Sequence, residues 1–360
     1  MKRWPFRLEV LAELAADGVQ VRNPEELERA LAADSDLRAW WEYAEEVDDA
    51  PAVPSVFAYD LWRAQEAMHG FQCTGDKTAL DVAVATWSRI VEHPVFSWAP
   101  TSFRLSALND AGRALLRRYS ALGRMDDLDR AIDLAQQATK LMPEDTDRPG
   151  GILNSLALSF HARFTRTGQH SDLEEAIRVW RQAVVATPPG SPDLPAILGN
   201  LGTGLRDLFT LTGREADLEE AIGVCRGAVE ATPPDSPDLP GVLNNLGSGL
   251  RDRFVRMGLE GDLEEAIRVF QQAVEAALPN SPSRPMCFSN LGTALRCRFA
   301  RTGREGDLEE AIRVFKQAVE AALPDSPDLP GYSNNLGTGL QDRFRLTGRE
   351  ADLHDRPQQR

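Results

Sequence analysis

Along residues 238–282 the apolar positions fall on two helical faces. Leu243, Leu246, Leu250 and Phe254 recur at i, i+3, i+7 and i+11, the spacing of one side of an α-helix. Leu263, Ala266, Ile267, Phe270, Ala273 and Val274 form a second stripe. Asp238 with Pro240 just inside marks the start of the first helix, because proline is tolerated in a first turn, where its missing N–H is not needed. Gly258, free to adopt the left-handed conformation, marks its stop. The second helix is expected to open with Asp262 as N-cap and Glu265 at the third helical position, a capping box. Glu264 and Arg268 are placed for an i, i+4 ion pair worth about 0.2–0.5 kcal/mol. Pro279 and Pro282 close the unit. The pattern predicts two antiparallel helices of roughly 17 residues, about 25 Å each.

The unit recurs. Asp-Leu-Glu-Glu-Ala-Ile starts at Asp172, Asp217, Asp262 and Asp307, every 45 residues, with a looser copy at Asp127 and a broken one at Asp352. A fixed period of this length signals a solenoid, in which each unit buries its apolar face only against its neighbours. Residues 261–285 and 306–330 differ at four of 25 positions, so the pattern makes the scaffold plain but does not single out one unit as the contact point for a ligand.

Leu243, Leu246, Gly247, Leu250, Ala266, Phe270 and Ala273 resemble the tetratricopeptide repeat. Phe288, Leu291, Gly292, Leu295, Ala311, Phe315 and Ala318 match it again, as do Leu198, Leu201, Gly202, Leu205, Ala221, Cys225, Ala228 and Pro233. That family's usual unit has 34 residues. Of the 11 extra residues here, seven lie between the Leu-Gly pair and the alanine of the second helix, and four in the connection between units. The resemblance covers about residues 101–354. It implies an all-α, right-handed superhelix (an α-solenoid) of antiparallel helix pairs. The long unit also resembles arrays that often precede a CHAT domain, a caspase-like cysteine protease fold. That likeness implies a sensing or partner-binding arm. The rival expectation is the regulatory portion of such a protease, whose catalytic domain is absent from this chain.

The expected organisation is an N-terminal helical cap over 1–55, a degenerate helix pair over 56–100, and an array of about five units over 101–360 with the last incomplete. Six of the seven tryptophans fall in the first hundred residues: Trp4, Trp40, Trp41, Trp62, Trp87 and Trp98. Helices are predicted over 5–16 and 24–48. Thr74-Gly75 followed by Leu80 matches Thr212-Gly213 followed by Leu218. Pro357 is expected to stop the helix that Asp352 begins, leaving the face of the preceding helix uncovered. A truncated array is the favoured expectation there, and self-association through the uncovered C-terminal helix the alternative.

A net charge of −15 argues against nucleic acid, whose surfaces need clustered cations to displace counterions from phosphate. Four cysteines in 360 residues do not make a disulfide framework. Acidic Glu9 and Glu13 interrupt any leader-like apolar run, and no apolar stretch of about 18 residues exists. No signal peptide, no membrane partner and a cytoplasmic location are therefore expected. No cofactor and no catalytic role are expected either.

Candidate chemistry lies in columns one unit apart on the first helices. The tetratricopeptide resemblance puts these helices on a concave, peptide-binding surface. The columns are Asn154, Gly199, Asn244, Ser289, Asn334; Leu158, Thr203, Ser248, Thr293, Thr338; His161, Arg206, Arg251, Arg296, Gln341; Ala162, Asp207, Asp252, Cys297, Asp342; and Asn200, Asn245, Asn290, Asn335. Amides, hydroxyls and guanidinium groups suit a peptide backbone, which needs donors and acceptors together. The bland alternative is that these columns pair only with one another along the array. The lysines of the family's terminal-carboxylate clamp are missing. Gly-x-Gly at 202/204, 247/249 and 337/339 sits inside helices with no preceding strand, so it signals close packing rather than a phosphate loop. His69 and Cys73 share a helical face but lack an orienting group, and no cysteine or histidine spacing suits zinc. The Glu pairs at 174/175, 219/220, 264/265 and 309/310 are read as a solvated acidic stripe.

Overall fold

The computed structural model describes residues 55–354 except 144, 145, 147, 148, 325 and 327, together with Arg29 and Ala32. The predicted helices over 5–16 and 24–48, and the cap they were to form, lie outside the described residues. The chain divides into two compact units, Met1–Val179 and Trp180–Arg360.

In the first unit, α1 (Ser55–Thr74) pairs with α2 (Lys77–Val91), α3 (Thr101–Leu122) pairs with α4 (Met125–Leu141), and α5 (Pro149–Thr167) leads into α6 (His170–Ala186), within which the division falls. The second unit continues with α7 (Leu194–Thr212), α8 (Glu215–Ala231), α9 (Leu239–Met257), α10 (Glu260–Ala276), α11 (Arg284–Thr302), α12 (Glu305–Ala321), α13 (Leu329–Thr347) and the short α14 (Ala351–His354). No strand occurs among the described residues. Within each unit, a second helix packs on its own first helix and on the next one, and α3 touches α5, α7 touches α9, α9 touches α11 and α11 touches α13.

The two stripes form the cores. Leu243, Leu246 and Leu250 are buried on α9, and Leu263, Ala266, Ile267, Phe270 and Ala273 on α10. They merge with Leu291, Leu295, Ile312, Phe315, Leu336 and Leu340 into one continuous cluster. In the first unit, Phe57, Trp87, Phe96, Phe103, Leu108 and Leu115 form the corresponding core. Phe57 stacks on Phe103 with ring centroids 5.2 Å apart.

Asp238 precedes α9 with Pro240 in its first turn, and Gly258 closes it at φ +71°. In that conformation its N–H reaches back to the Phe254 carbonyl, 2.7 Å away. The seven extra residues lengthen both arms of the hairpin, giving first helices of 19 residues and second helices of 17.

The start of the second helix needs correcting. It begins at Glu260, so Asp262 is the third helical residue; the N-cap is Leu259, which makes no side-chain cap. The Asp262 side chain turns instead to Arg253 on the preceding helix. The Glu264–Arg268 pair does not form either; Glu264 accepts from Arg298 of the next unit.

Candidate functional site

The first-helix face is built from rows of polar groups that bridge neighbouring units. Asn245 Nδ2 donates to the Gly199 carbonyl at 3.3 Å, Asn290 Nδ2 to Asn244 Oδ1 at 2.7 Å, and Asn335 Nδ2 to Ser289 Oγ at 2.9 Å. Each asparagine thus reaches the residue 46 positions earlier. Gly199 admits this approach to its backbone: a Cβ there would lie 3.4 Å from Asn245 Nδ2. Asn244 and Ser248 are buried, Asn334 is exposed, and Asn154 and Asn200 are half-buried. The threonines are tied to their own helices. Thr203, Thr293 and Thr338 donate to the carbonyl four residues back at 3.1, 2.9 and 2.9 Å.

The arginine row has the same one-unit reach. Arg206 donates through Nε and Nη2 to Asp252 Oδ2 at 2.9 and 2.7 Å, and Arg296 donates to Asp342 at 3.2 Å. Arg251 breaks the rule, because the residue at its partner position is Cys297. It turns to Asp252 Oδ1 at 3.0 Å, so that carboxylate serves two arginines. Arg296, with 36% of its side chain exposed, is the most open of the three. His161, in the first unit, lies 6.1 Å from the Phe164 ring, and Asp207 is half-buried in the second. The structure therefore orders these side chains as ladders, with their outer edges still reachable from solvent.

A second network was not anticipated. Arg118, Arg163, Arg253, Arg298 and Arg343 each fork onto the aspartate nine residues later, the one that opens Asp-Leu-Glu-Glu or its variant. The aspartates, Asp127, Asp172, Asp262, Asp307 and Asp352, are buried. From the same guanidinium, Nη1 extends to the previous unit. Arg253 reaches Glu219, Arg298 reaches Glu264 and Arg343 reaches Glu309, at 2.7, 2.7 and 2.6 Å. One arginine thus joins three helices, and its bidentate geometry suits a carboxylate. These pairs hold all five guanidiniums more firmly charged than an isolated arginine. The sequence signal was an arginine nine residues before each such aspartate, interrupted at Leu208. There Asp217 accepts from Arg214 and Thr212.

The glutamate pairs are solvated, with Glu219, Glu264 and Glu309 between 52% and 57% exposed, but most are tied into ion pairs. Besides Glu219, Glu264 and Glu309, Glu220 accepts from Arg181 and Glu265 from Arg226, each one unit away. Glu175 and Glu310 accept from Arg178 and Arg313 on their own helices.

His69 and Cys73 meet, with Cys73 Sγ 3.5 Å from His69 Nε2 on an exposed helix face. Cys225 and Cys287 are buried, and their thiols are pushed up to about 11 by desolvation. Among the described residues, no group of three or more His, Cys, Asp or Glu is placed to hold a metal. Among the same residues, no helix is long and apolar enough to cross a membrane.

Residues 286–328 match the tetratricopeptide repeat family. No match to a curated protein was found. Among solved structures, the chain is similar to BtubC from P. vanneervenii, at 19% identity over 69% of this chain and 95% of that one, with a TM-score of 0.48. It is also similar to a thermophilic TPR protein of Thermus thermophilus, at 21% identity over 63% and 99%, with a TM-score of 0.43. A third similarity is to pilF of Pseudomonas aeruginosa, at 14% identity over 71% and 97%, with a TM-score of 0.44.

Proposed function

We propose that this chain, a tetratricopeptide-repeat protein, is a non-catalytic scaffold that holds an extended segment of a partner protein along the face of its first helices. The observation that carries this reading is the set of pre-ordered polar rows there, above all Arg206, Arg251 and Arg296 with the Asn245, Asn290 and Asn335 ladder. Side chains already fixed by ladder bonds lose little freedom when a ligand arrives, which lowers the cost of binding. Guanidinium, amide and carboxylate groups repeating once per unit match the alternating donors and acceptors of an extended backbone.

The net charge of −15 and the pairing of most arginines with carboxylates speak for a protein partner over a nucleic acid. A role as a sensing arm in bacterial signalling or defence rests on the likeness of the 45-residue units to arrays that precede CHAT domains, which is analogy of fold.

The test is selection of displayed peptides on the purified chain, followed by binding assays with Arg251→Glu and Asn335→Ala. Peptides that bind the parent chain and lose affinity for both folded variants support the reading. Peptides that bind the variants equally well place the working surface elsewhere.

A further inference from the structure

The junction between one second helix and the next first helix exists in an open and a filled form. Between α8, α9 and α10 lies an open cavity of about 450 Å³, whose walls include Val229, Thr232, Pro234, Leu239, Leu243 and Glu275. One repeat later the corresponding positions are Val274, Ala277, Pro279, Arg284, Phe288 and Glu320. There the chain supplies its own occupant. Arg284 Nη1 donates to the Ala277 carbonyl, and its guanidinium lies over the Phe288 ring, 5.2 Å from the centroid. Ala277 caps the C-terminus of α10, so the cation meets the negative end of a helix while an aromatic face covers it.

The open copy keeps the acceptors and lacks the occupant. Thr232 caps the C-terminus of α8 as Ala277 caps α10. Leu239 and Leu243 stand where Arg284 and Phe288 take up the space. The open copy is also more acidic. Its connection carries Asp235 and Asp238, where the filled copy has Asn280 and Ser283; Glu275 stands exposed at the cavity wall, as its counterpart Glu320 does in the filled copy.

We propose that this cavity is a docking site for an arginine side chain of a partner protein. The guanidinium donates to the Thr232 carbonyl and the Glu275 carboxylate, and the aliphatic stem packs on Val229, Leu239 and Leu243. Arginine fits better than lysine because its planar fork serves two acceptors at once and it sheds water more readily. The site lies where the C-terminal ends of α8 and α10 meet the N-terminal part of α9, and it uses none of the arginine and asparagine row residues.

The test titrates the full chain with a capped alanine pentapeptide carrying one central arginine, followed by calorimetry or NMR shifts. Saturable binding is expected, and the citrulline and lysine counterparts should bind about tenfold more weakly or worse. One repeat earlier the same positions hold Val184, Thr187, Pro189, Leu194, Leu198 and Glu230, so the number of sites is read as a change from the parent chain. Leu239→Arg writes the filled copy's residue into the open one and should remove one site. Arg284→Leu combined with Phe288→Leu should open a further cavity and add one site. Arg251→Glu, on the other face, should leave this binding unchanged. No saturable binding of the arginine peptide, equal binding of either counterpart, or an unchanged number of sites after Leu239→Arg in a folded chain overturns the proposal. If Leu239→Arg does not fold, the double variant decides: a number of sites that does not rise contradicts it.

Discussion

Gly247 lies directly against the ring of Phe270: a Cβ on that glycine would stand 2.7 Å from the ring's Cε1 and 2.9 Å from both Cδ1 and Cζ. The contact sets how closely α9 approaches α10, and it repeats between Gly292 and Phe315, where a Cβ would stand 2.6 Å from the ring. Alanine is the better helix former by about 1 kcal/mol, but forcing a methyl group into this contact costs about 1–3 kcal/mol through displaced side chains and backbone. Gly247→Ala is therefore expected to destabilise the chain. Gly337 occupies the same repeat position, but a Cβ there would meet nothing within 4 Å. Gly337→Ala is expected to stabilise by up to about 1 kcal/mol. Urea unfolding of the two variants should move the midpoint in opposite directions; a shift of the same sign would contradict the packing account.

The arginine that joins three helices is expected to be a principal tie between units. Arg298 has 18% of its side chain exposed and binds Asp307, which is 8% exposed, together with Glu264. Truncation to alanine leaves a buried carboxylate without its partner and is expected to cost about 3 kcal/mol. Arg301→Ala removes a pair that is exposed on both sides and should cost less than about 1 kcal/mol. Equal losses in denaturant unfolding would show that the buried fork has no special weight.

The missing step of the first-helix ladder makes a constructive prediction. Arg206 and Arg296 each find an aspartate 46 residues on, while Arg251 finds Cys297. Cys297→Asp should draw Arg251 off Asp252 and complete the row, with a gain of about 0.5 kcal/mol that shrinks in high salt. A variant less stable than the parent at low salt would refute the one-unit reach of this ladder.

The helix pairs themselves were legible from periodicity alone, down to the left-handed glycine at position 258. So was the meaning of Gly-x-Gly at Gly202, Gly247, Gly249 and Gly339, where a Cβ would crowd a neighbouring side chain, though not at Gly337. The role of Asp262 was not. A local pattern of Asp followed three residues later by Glu resembles a capping box, and nothing nearby in sequence competes with it. Its true partner, Arg253, lies nine residues back across the hairpin turn, and Glu219, the other end of the same arginine, lies a unit away. That the asparagine and arginine columns could pair along the array was legible; which residue each reaches was not. The columns stood out at a spacing of 45, whereas the bonds run at 46, each side chain reaching a residue of the adjacent column on the neighbouring first helix.

Acid should weaken the array through the paired carboxylates. The Arg343 fork holds the Asp352 carboxyl below its usual range, and Arg178 and Arg313 do the same for Glu175 and Glu310. A depressed carboxyl pKa contributes stability that is present above the unfolded value of about 4 and is lost as pH falls through the lower folded value. Melting temperature should therefore change little from these groups between about pH 6 and 8 and fall below about pH 4. Arg343→Met should flatten part of that fall. A variant that keeps the whole acid slope would remove Asp352 from the account.

Thiol reactivity should follow burial. Cys225 and Cys287 remain protonated well above neutral pH, while Cys73 is exposed and Cys297 half-exposed. In the folded chain at about pH 8, a thiol reagent should modify Cys73 first and leave Cys225 and Cys287 unmodified until denaturant is added. Prompt labelling of all four would contradict the packed interior.

The most direct test of the proposed function is photo-crosslinking of a selected, tightly bound peptide, with the attachment sites mapped by mass spectrometry. The account predicts attachment on α7, α9, α11 and α13, at and beside the arginine and asparagine rows. Attachment confined to the second helices α8, α10 and α12 would contradict it.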